Sequence, residues 1–271
     1  YQTMLKNIGS IENQGYELSI ESDNLTGAFS WTTAFNIAFN RNKVLELGGE
    51  EYKEMAEGDG HLKTGSVRRL IVGEPIGVFY GYRFDGIFQN EEECKQQTSS
   101  ASPIGVGLRR YKDLNGDGKV DAANDREILG DANPKFFGGL TNTFAYKGFE
   151  LNVFLQYSYG NKILNYNAME LENPTGGQNA YADMVNRWTP ENPSNIYPKA
   201  TTNRALLVSD RFIEDGSYLK LKTLSLSYSF PKINLKHIQG LRLYVTGQNL
   251  LTWTKYRGYD PEVSYRGAST L

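Results

Sequence analysis

The sequence has few of the residues on which common functional sites depend. Its 271 residues include one cysteine, Cys94, and two histidines, His61 and His237. A single cysteine cannot form an internal disulfide, and beside three consecutive glutamates it is predicted to be a free surface thiol. Both histidines fall in polar segments and are interpreted as solvated side chains, not as catalytic residues or metal ligands.

Long apolar runs, excess charge and catalytic motifs are also missing. No run of about 18 apolar residues occurs, so a transmembrane helix is excluded and only strands would let this chain cross a bilayer. The 29 basic and 31 acidic residues are interspersed, which gives no sign of a nucleic-acid partner. No nucleophile elbow, zinc-protease motif or nucleotide-binding loop is found, and carboxylates such as Glu170 and Glu172 do not stand out as a catalytic pair. We therefore expect neither an enzyme nor an organic cofactor.

The sequence does contain strict alternation of apolar and polar residues. In 28–40 the apolar positions are Phe29, Trp31, Phe35, Ile37 and Phe39. The same alternation returns in 136–146, 149–159 and 241–252. Strands of about ten residues with one apolar and one polar face are typical of a membrane β-barrel. A half-exposed sheet in a soluble sandwich gives the same pattern, so periodicity leaves both open.

Turn residues divide the alternating segments into six predicted strands. They are 15–22, 28–40, 136–146, 149–159, 218–230 and 241–252. Tyr146-Lys147-Gly148 indicates a tight hairpin. Within 218–230 the apolar parity changes, which predicts a β-bulge near Lys222-Thr223. A membrane barrel needs at least about eight strands, so six would require the rest of a larger protein.

Two long connections, 41–135 and 160–210, are expected to be extracellular excursions, because outer-membrane barrels have short periplasmic turns and long outer loops. Val78–Phe84 looks like a strand within the first excursion, although a further hairpin crossing is an open alternative. In the second, 178–188 has helical character and is followed by prolines.

One loop has the spacing of a calcium site. Its candidate ligands are Asp113, Asn115, Asp117, Lys119 through its carbonyl, Asp121 and, beyond the usual last position, Asp125. The first nine positions resemble an EF-hand loop, but position twelve is Asn124 instead of a bidentate glutamate. Two interpretations stay open: a structural calcium clamp, and a turn whose Asx side chains bond their own backbone.

Motifs along nearly the full length together resemble the C-terminal part of a SusC/RagA-type TonB-dependent outer-membrane transporter. They are Asn7-Ile8-Gly9 with Gly15-Tyr16-Glu17-Leu18; Gly73-Glu74-Pro75-Ile76-Gly77 with Tyr80-Gly81-Tyr82 and Asp85-Gly86-Ile87-Phe88; the 113–121 loop ending in Ile128-Leu129-Gly130; Asn133-Pro134 through Gly139; Tyr146 to Leu151; Asn186 to Pro193; Asp215 to Lys222; and Gly247-Gln248-Asn249-Leu250-Leu251. Each motif is weak alone, whereas their shared order over the chain makes the resemblance specific.

The resemblance implies a transmembrane antiparallel barrel of about twenty-two strands around an N-terminal plug. Such a protein imports oligosaccharides or peptides across the cell outer membrane, with energy from TonB and with a SusD-like surface lipoprotein as partner. Residues 1–271 would supply lipid-contacting barrel wall and extracellular loops. The plug, and a final strand after Tyr259-Asp260-Pro261-Glu262, are expected outside this chain.

The resemblance also suggests where ligand contacts would lie. Loop residues Trp188, Tyr181 and Arg187 are candidates for contact with the ligand or the lipoprotein, with packing of Trp188 on its own loop as the alternative. The predicted lumen-facing residues are Asn36, Asn152, Gln156, Arg242 and Gln248. Two other classes stay open: a soluble carbohydrate-binding β-sandwich, in which the Phe29, Trp31 and Phe35 face would be buried internally, and a secreted glycosidase fragment.

Overall fold

A computed structural model describes residues 9–55, 65–173, 179–202, 206–230 and 240–262, to which all structural statements refer. The first two residues of the Asn7 motif, both histidines and Gln178 lie outside these ranges. Within them, no helix has the length and apolarity required to cross a membrane.

The described residues form sixteen strands, two α-helices and two 3₁₀ helices. The strands are β1 (Ser10–Leu25), β2 (Phe29–Glu46), β3 (Tyr52–Met55), β4 (Arg68–Ile71), β5 (Val78–Tyr82), β6 (Phe84–Ile87), β7 (Thr98–Ser99), β8 (Arg109–Tyr111), β9 (Lys119–Val120), β10 (Arg126–Gly130), β11 (Phe136–Tyr146), β12 (Phe149–Tyr159), β13 (Lys162–Leu164), β14 (Ile213–Asp215), β15 (Tyr218–Phe230) and β16 (Leu241–Thr254). The helices are α1 (Glu91–Gln96), α2 (Tyr166–Leu171) and the 3₁₀ helices Ala182–Asn186 and Asp210–Phe212.

The chain divides into two compact units. The sheet unit comprises 13–41, 133–161 and 215–271, and the excursion unit comprises 1–12, 42–132 and 162–214. The excursion unit thus gathers most of the two long connections identified from the sequence. Its extracellular location stays a prediction.

The sheet unit is one six-stranded sheet in the order β1-β2-β11-β12-β15-β16. All six predicted strands are confirmed, and three have the predicted bounds. Strand β1 is longer than the predicted 15–22, because backbone pairing with β2 continues through polar residues that give no apolar alternation. Tyr146 pairs with Phe149 across a two-residue turn in which Lys147 and Gly148 have φ of 46° and 88°. Positive φ at both central positions matches the twist of a hairpin.

The predicted bulge in β15 is confirmed at Lys222. On the β12 side, Leu221 pairs with Leu155 and Thr223 pairs with the preceding residue, Phe154, so Lys222 has no partner of its own. The β16 pairing also shifts between Leu221 and Thr223. Because of this extra residue, the apolar face is formed by odd-numbered residues before the bulge and by even-numbered residues after it. This explains the change of parity seen in the sequence.

The excursion unit is built from short strands. A four-stranded sheet has the order β10-β5-β4-β3, and three two-stranded sheets pair β13 with β14, β6 with β8 and β7 with β9. Its main core cluster is Val67, Phe79, Leu129, Leu164, Ala168, Met169, Leu206, Val208 and Phe212. Strand β5 has five residues, about half of what a membrane crossing requires. The Val78–Phe84 segment lies in the excursion unit, and that it adds no crossing stays a prediction.

The predicted helical character of 178–188 is only partly right. The described residues contain a 3₁₀ helix at Ala182–Asn186, and Arg187 is already extended with φ −61° and ψ 156°. A 3₁₀ turn suits so short a piece of chain, and the prolines that follow cannot continue a helix.

Candidate functional site

One face of the six-stranded sheet is apolar, and its cross-strand neighbours form six rows. The two outermost rows are mainly aromatic: Phe29, Tyr146, Phe149, Tyr228 and Leu243 at one end, and Phe39, Phe136 and Tyr159 at the other. The second and fifth rows are Trp31, Phe144, Leu151, Leu226 and Val245, and Ile37, Gly138, Tyr157, Leu219 and Trp253. The two middle rows are Thr33, Asn142, Val153, Leu224 and Gly247, and Phe35, Leu140, Leu155, Leu221 and Leu251.

The separation of the aromatic rows fits the apolar thickness of an outer membrane. Phe29 and Phe39 are ten residues apart, and ten residues of antiparallel strand rise roughly 34 Å. At the strand tilt of about 35–45° that is typical of such barrels, this length covers about 24–28 Å along the membrane normal. Outer-membrane barrels have an apolar band about 25 Å tall between aromatic girdles.

The apolar face is exposed. Phe29 is 43% exposed, Leu243 57% and Val245 68%. A soluble β-sandwich requires this face to be packed against a second sheet, as predicted above for Phe29, Trp31 and Phe35. The described residues leave much of this face exposed instead, which argues against that alternative.

Polar side chains in a middle row bond to each other. Asn142 Oδ1 accepts hydrogen bonds from Trp31 Nε1 at 2.8 Å and from Thr33 Oγ1 at 2.7 Å. Polar groups in a hydrocarbon environment are costly when they lack partners. This small network makes an asparagine and a threonine compatible with an otherwise apolar surface.

The opposite face carries all five predicted lumen-facing residues: Asn36, Asn152, Gln156, Arg242 and Gln248. Most bond to neighbours on that face. Asn36 Oδ1 accepts from the Gly139 amide at 2.8 Å, and Asn152 Nδ2 donates to Thr143 Oγ1 at 2.9 Å. Arg242 Nη2 donates to Glu150 Oε1 at 2.6 Å. The register thus supports one polar face, while its exposure to a lumen stays a prediction.

Phe154 is the one large apolar residue in the middle of this polar face, and Gly139 explains it. A Cβ built on Gly139 would lie 2.7 Å from Phe154 Cε2, so the ring occupies the space that a side chain there would take. The phenyl ring covers the glycine backbone and remains compatible with a polar surface.

A charged cluster at one end of the polar face was missed in the sequence. Lys220 is 1% exposed, and its Nζ donates to both carboxylate oxygens of Asp260 at 2.9 Å and to Glu262 Oε2. Lys222 Nζ also donates to Glu262 Oε2, at 2.9 Å. Gln156 Nε2 donates to Glu262 Oε1 at 3.1 Å. We call these five residues the latch, because they join the 255–262 segment to the sheet.

The latch keeps its outer carboxylate ionised. Partial burial raises the pKa of Glu262, but hydrogen bonds from Lys220 and Lys222 outweigh it and lower the pKa to about 2. The only sequence signal for this arrangement is two carboxylates on either side of Pro261, and nothing local identifies their partners forty residues earlier.

The candidate calcium loop is organised by its own backbone. Asp113 accepts hydrogen bonds from the Gly116 and Gly118 amides, both at 2.7 Å. Asp125, which is fully buried, accepts from the Leu114 and Asp121 amides at 2.7 Å. The side chains of Asn115, Asp117 and Asp121 likewise accept hydrogen bonds from backbone amides of the loop. Lys119 differs, because its Nζ forms an ion pair with Asp121 Oδ2 at 3.2 Å.

This geometry shows the Asx turns of the second interpretation. No group of three or more Asp, Glu, His or Cys in the described residues is arranged to hold a metal. The oxygen ligands still have the chemistry that calcium prefers, and a carboxylate oxygen that accepts one N–H keeps a second lone pair. Calcium binding therefore stays a prediction.

The three loop candidates occupy different environments. Trp188 is half-buried, donates from Nε1 to Gln89 Oε1 at 3.1 Å and lies against Gly107, where a Cβ would meet its ring at 2.6 Å. Tyr181 packs against the main core cluster, and Arg187 is exposed. The contacts of Trp188 agree with packing on its own unit. Ligand contact by any of the three stays a prediction.

The chain was compared with family models, with curated proteins and with solved structures. No family model matches it. TonB-dependent receptor P3 of Formosa agariphila is 40% identical over 267 residues, which cover 97% of this chain and 26% of that receptor. TonB-dependent receptor SusC of Bacteroides thetaiotaomicron is 28% identical over 273 residues, which cover 96% of this chain and 25% of SusC. The structure of the RagAB peptide transporter aligns with a TM-score of 0.74 and 25% identity, covering 95% of this chain and 27% of that one.

These relatives confirm the predicted fold class: the chain is an antiparallel all-β chain that matches part of the barrel of a TonB-dependent transporter. The chain spans about a quarter of the length of the curated relatives it matches. By sequence and by fold, this chain is homologous over nearly its whole length to TonB-dependent receptors of the SusC/RagA type.

Proposed function

We propose that this chain forms barrel wall and extracellular loops of an outer-membrane nutrient importer. The observation that carries the proposal is the exposed apolar face, whose two aromatic rows are separated by about the apolar thickness of an outer membrane. The apolar rows contact lipid, the polar face lines the barrel interior, and further strands of the complete protein pair with the two edges, β1 and β16.

Import is the function that the relatives support. The matched proteins are named TonB-dependent receptors, one of them SusC, and the matched structure is that of a peptide transporter. We propose TonB-dependent uptake of an oligosaccharide or a peptide, captured with the help of a SusD-like surface lipoprotein. None of these names denotes an enzyme, in agreement with the expectation that the chain catalyses no reaction.

Each part of the chain has a role in this mechanism. Ligand would bind between the lipoprotein and the excursion unit, and movement of the plug would open a path along the polar face. The hydrogen-bonded Asn152 and Gln156 and the paired Arg242 would present a wet wall to the solute. The latch would fix the chain after β16 at one end of this wall.

Single-cysteine labelling of the complete receptor in outer membranes tests the proposal. Phe35 and Leu155 lie in one row of the apolar face, and Asn36 and Gln156 lie in the neighbouring row of the polar face. Cysteines at Phe35 and Leu155 should react only with a lipid-restricted reagent, and those at Asn36 and Gln156 only with a water-soluble one or with neither. Protection of all four positions from both reagents would reject the membrane wall.

Uptake distinguishes the two substrate classes. Cells with and without the complete receptor are given labelled oligosaccharides and labelled peptides, with a strain lacking TonB as the control. We expect one class to accumulate only when both the receptor and TonB are present. Accumulation that is independent of TonB would contradict the import mechanism.

A further inference from the structure

Arg109 of strand β8 is a buried cation without a carboxylate partner. It is 9% exposed and forms no ion pair with any carboxylate of the described residues. Its one hydrogen bond to a described residue runs from Nη2 to the main-chain oxygen of Glu172 at 3.1 Å. By contrast, Arg69, the other buried arginine among the described residues of this unit, pairs with Glu54.

The nearby carboxylate is engaged by another arginine. Glu172 is fully buried, and its Oε2 accepts from Arg211 Nη2 at 2.6 Å. Among the described residues, two guanidinium groups therefore meet around one carboxylate, which leaves one positive charge uncompensated there. Burial lowers the pKa of Arg109, the direction expected for a desolvated cation. Arginine nevertheless stays protonated, so the charge persists.

A cavity lies beside this charge. Its volume is about 40 Å³, and Arg109, Asn173, Tyr111, Ser102 and Thr201 are among its lining residues. In the described part of the chain, neither Arg109 Nε nor Asn173 Oδ1 has a hydrogen-bond partner, although both atoms are buried. A water molecule needs at least about 10–15 Å³ of such space, so the cavity has room for two or three waters or for one carboxylate-sized group.

The chemistry of the lining defines the ligand. A buried unpaired charge is costly, and an anion that enters the cavity would supply the missing partner. The Asn173 amide can turn about χ2 to present its NH₂ group, so it can donate to the same anion. From this geometry we infer that the cavity is an anion site that takes a carboxylate group or an equally small inorganic anion.

The source of the carboxylate is either a free small anion or the charged end of a larger solute. The inference does not depend on the proposed import function, because the uncompensated charge and the cavity belong to the excursion unit alone. A negative result for the anion site would therefore not count against the proposed role of the chain as barrel wall.

Bromide and acetate are the probes, and the complete receptor in detergent is the sample. Bromide-soaked crystals should show an anomalous peak in the cavity, beside the Arg109 guanidinium group. Acetate should raise the thermal unfolding temperature in a saturable way, whereas its neutral isostere acetamide should not. A cavity holding only water, or equal effects of acetate and acetamide, would overturn the inference.

Two substitutions separate the anion site from general folding effects. Asn173→Asp places a carboxylate inside the cavity, so it should weaken acetate and bromide binding at least tenfold while the protein stays folded and becomes more stable without anion. Arg109→Met should also abolish anion binding, but this variant can misfold. The affinity of Asn173→Asp for acetate and bromide is therefore the deciding measurement. Arg110→Met is the matched control, because Arg110 pairs with Asp85 outside the cavity and its loss should leave affinity within twofold.

Glycylglycine, whose carboxylate is carried on a longer chain, distinguishes the two sources. Binding as tight as that of acetate indicates that the cavity accepts the end of a larger solute, whereas binding of acetate alone indicates a free anion. Wild-type anion affinity in Asn173→Asp would refute the inference in either case.

Discussion

Replacement of Lys220 by methionine tests the latch most directly. The ammonium group of Lys220 is buried and donates three hydrogen bonds to Asp260 and Glu262. Methionine keeps most of the side-chain volume but removes the charge. Among the described residues, both carboxylates would then keep Lys222 as the one lysine within bonding distance.

The size of the effect follows from burial. Removal of one partner of a fully buried ion pair costs about 3–5 kcal/mol. Here the side chains of Asp260 and Glu262 are 37% and 27% exposed, so water screens part of the loss, and Lys222 still pairs with Glu262. We therefore expect about 2 kcal/mol, which is roughly a 30-fold change in the opening equilibrium of the 255–262 segment.

Hydrogen–deuterium exchange on the complete receptor measures this opening. The Glu262 amide, which donates to Asp260 Oδ1 at 2.8 Å, should exchange roughly 30-fold faster in Lys220→Met. Lys222→Met is the matched control: Lys222 is 33% exposed and makes a single bond, so it should change the rate less than about fivefold. An unchanged rate in Lys220→Met, or a larger effect in the control, would refute the reasoning.

Three further predictions address pH, packing and metal binding. Since the pKa of Glu262 is lowered from 4.5 to about 2, its contribution to latch stability is complete above about pH 4.5 and is lost as pH falls toward 2. The opening equilibrium of the 255–262 segment, obtained from exchange rates divided by the intrinsic rate at each pH, should therefore rise over that range, but not in Glu262→Gln. Gly139→Val should destabilise the receptor by about 1–3 kcal/mol because its Cβ would meet the Phe154 ring, and Phe154→Ala in the same protein should restore most of the loss in thermal unfolding. If the 113–121 loop binds calcium, its amides should exchange more slowly in millimolar calcium than in chelator, and Asp113→Ala should abolish that difference. Equal exchange with and without calcium would show that the loop side chains serve only in Asx turns.

The strands of the sheet could be predicted because the patterns that specify them lie within short stretches of sequence. Alternation along Phe29 to Phe39 fixes which side chains share a face, and a two-residue turn such as Lys147-Gly148 fixes the register of its hairpin. The structure adds pairwise facts that alternation does not contain. The Asn142 network and the Gly139–Phe154 contact each depend on residues from neighbouring strands.

The excursion unit could not be predicted in the same way. Its strands have two to five residues, too few for a period-2 pattern to be recognised, and its core joins residues from both long connections. Arg109 illustrates the difficulty: an arginine in a polar segment reads as a surface residue, and only the fold shows that it is buried next to a cavity. Lys220 was hidden for the same reason, since its partners lie forty residues away.

The bulge at Lys222 lets one strand serve both the apolar face of the sheet and the latch. Before it, Tyr218 and Lys220 point to the polar face and Leu219 to the apolar one; after it, even-numbered residues such as Leu224 point to the apolar face. Without the extra residue, one register could not keep both leucines on the apolar face and Lys220 on the polar face, because a shift of one position exchanges the faces.

Deletion of Lys222 should therefore prevent assembly of the complete receptor, since it would place Lys220 on the lipid face or Leu224 on the polar one. A charged residue on the lipid face costs about 2–4 kcal/mol at mid-membrane and less toward the interfaces, and all the other residues on one side of the bulge would change faces as well. Lys222→Ala keeps the extra residue and should still assemble, with loss of only the bond to Glu262. The yield of folded receptor in outer membranes, measured by its resistance to unfolding in detergent without heating, compares the two. Normal assembly of the deletion variant would show that the bulge does not set the two faces.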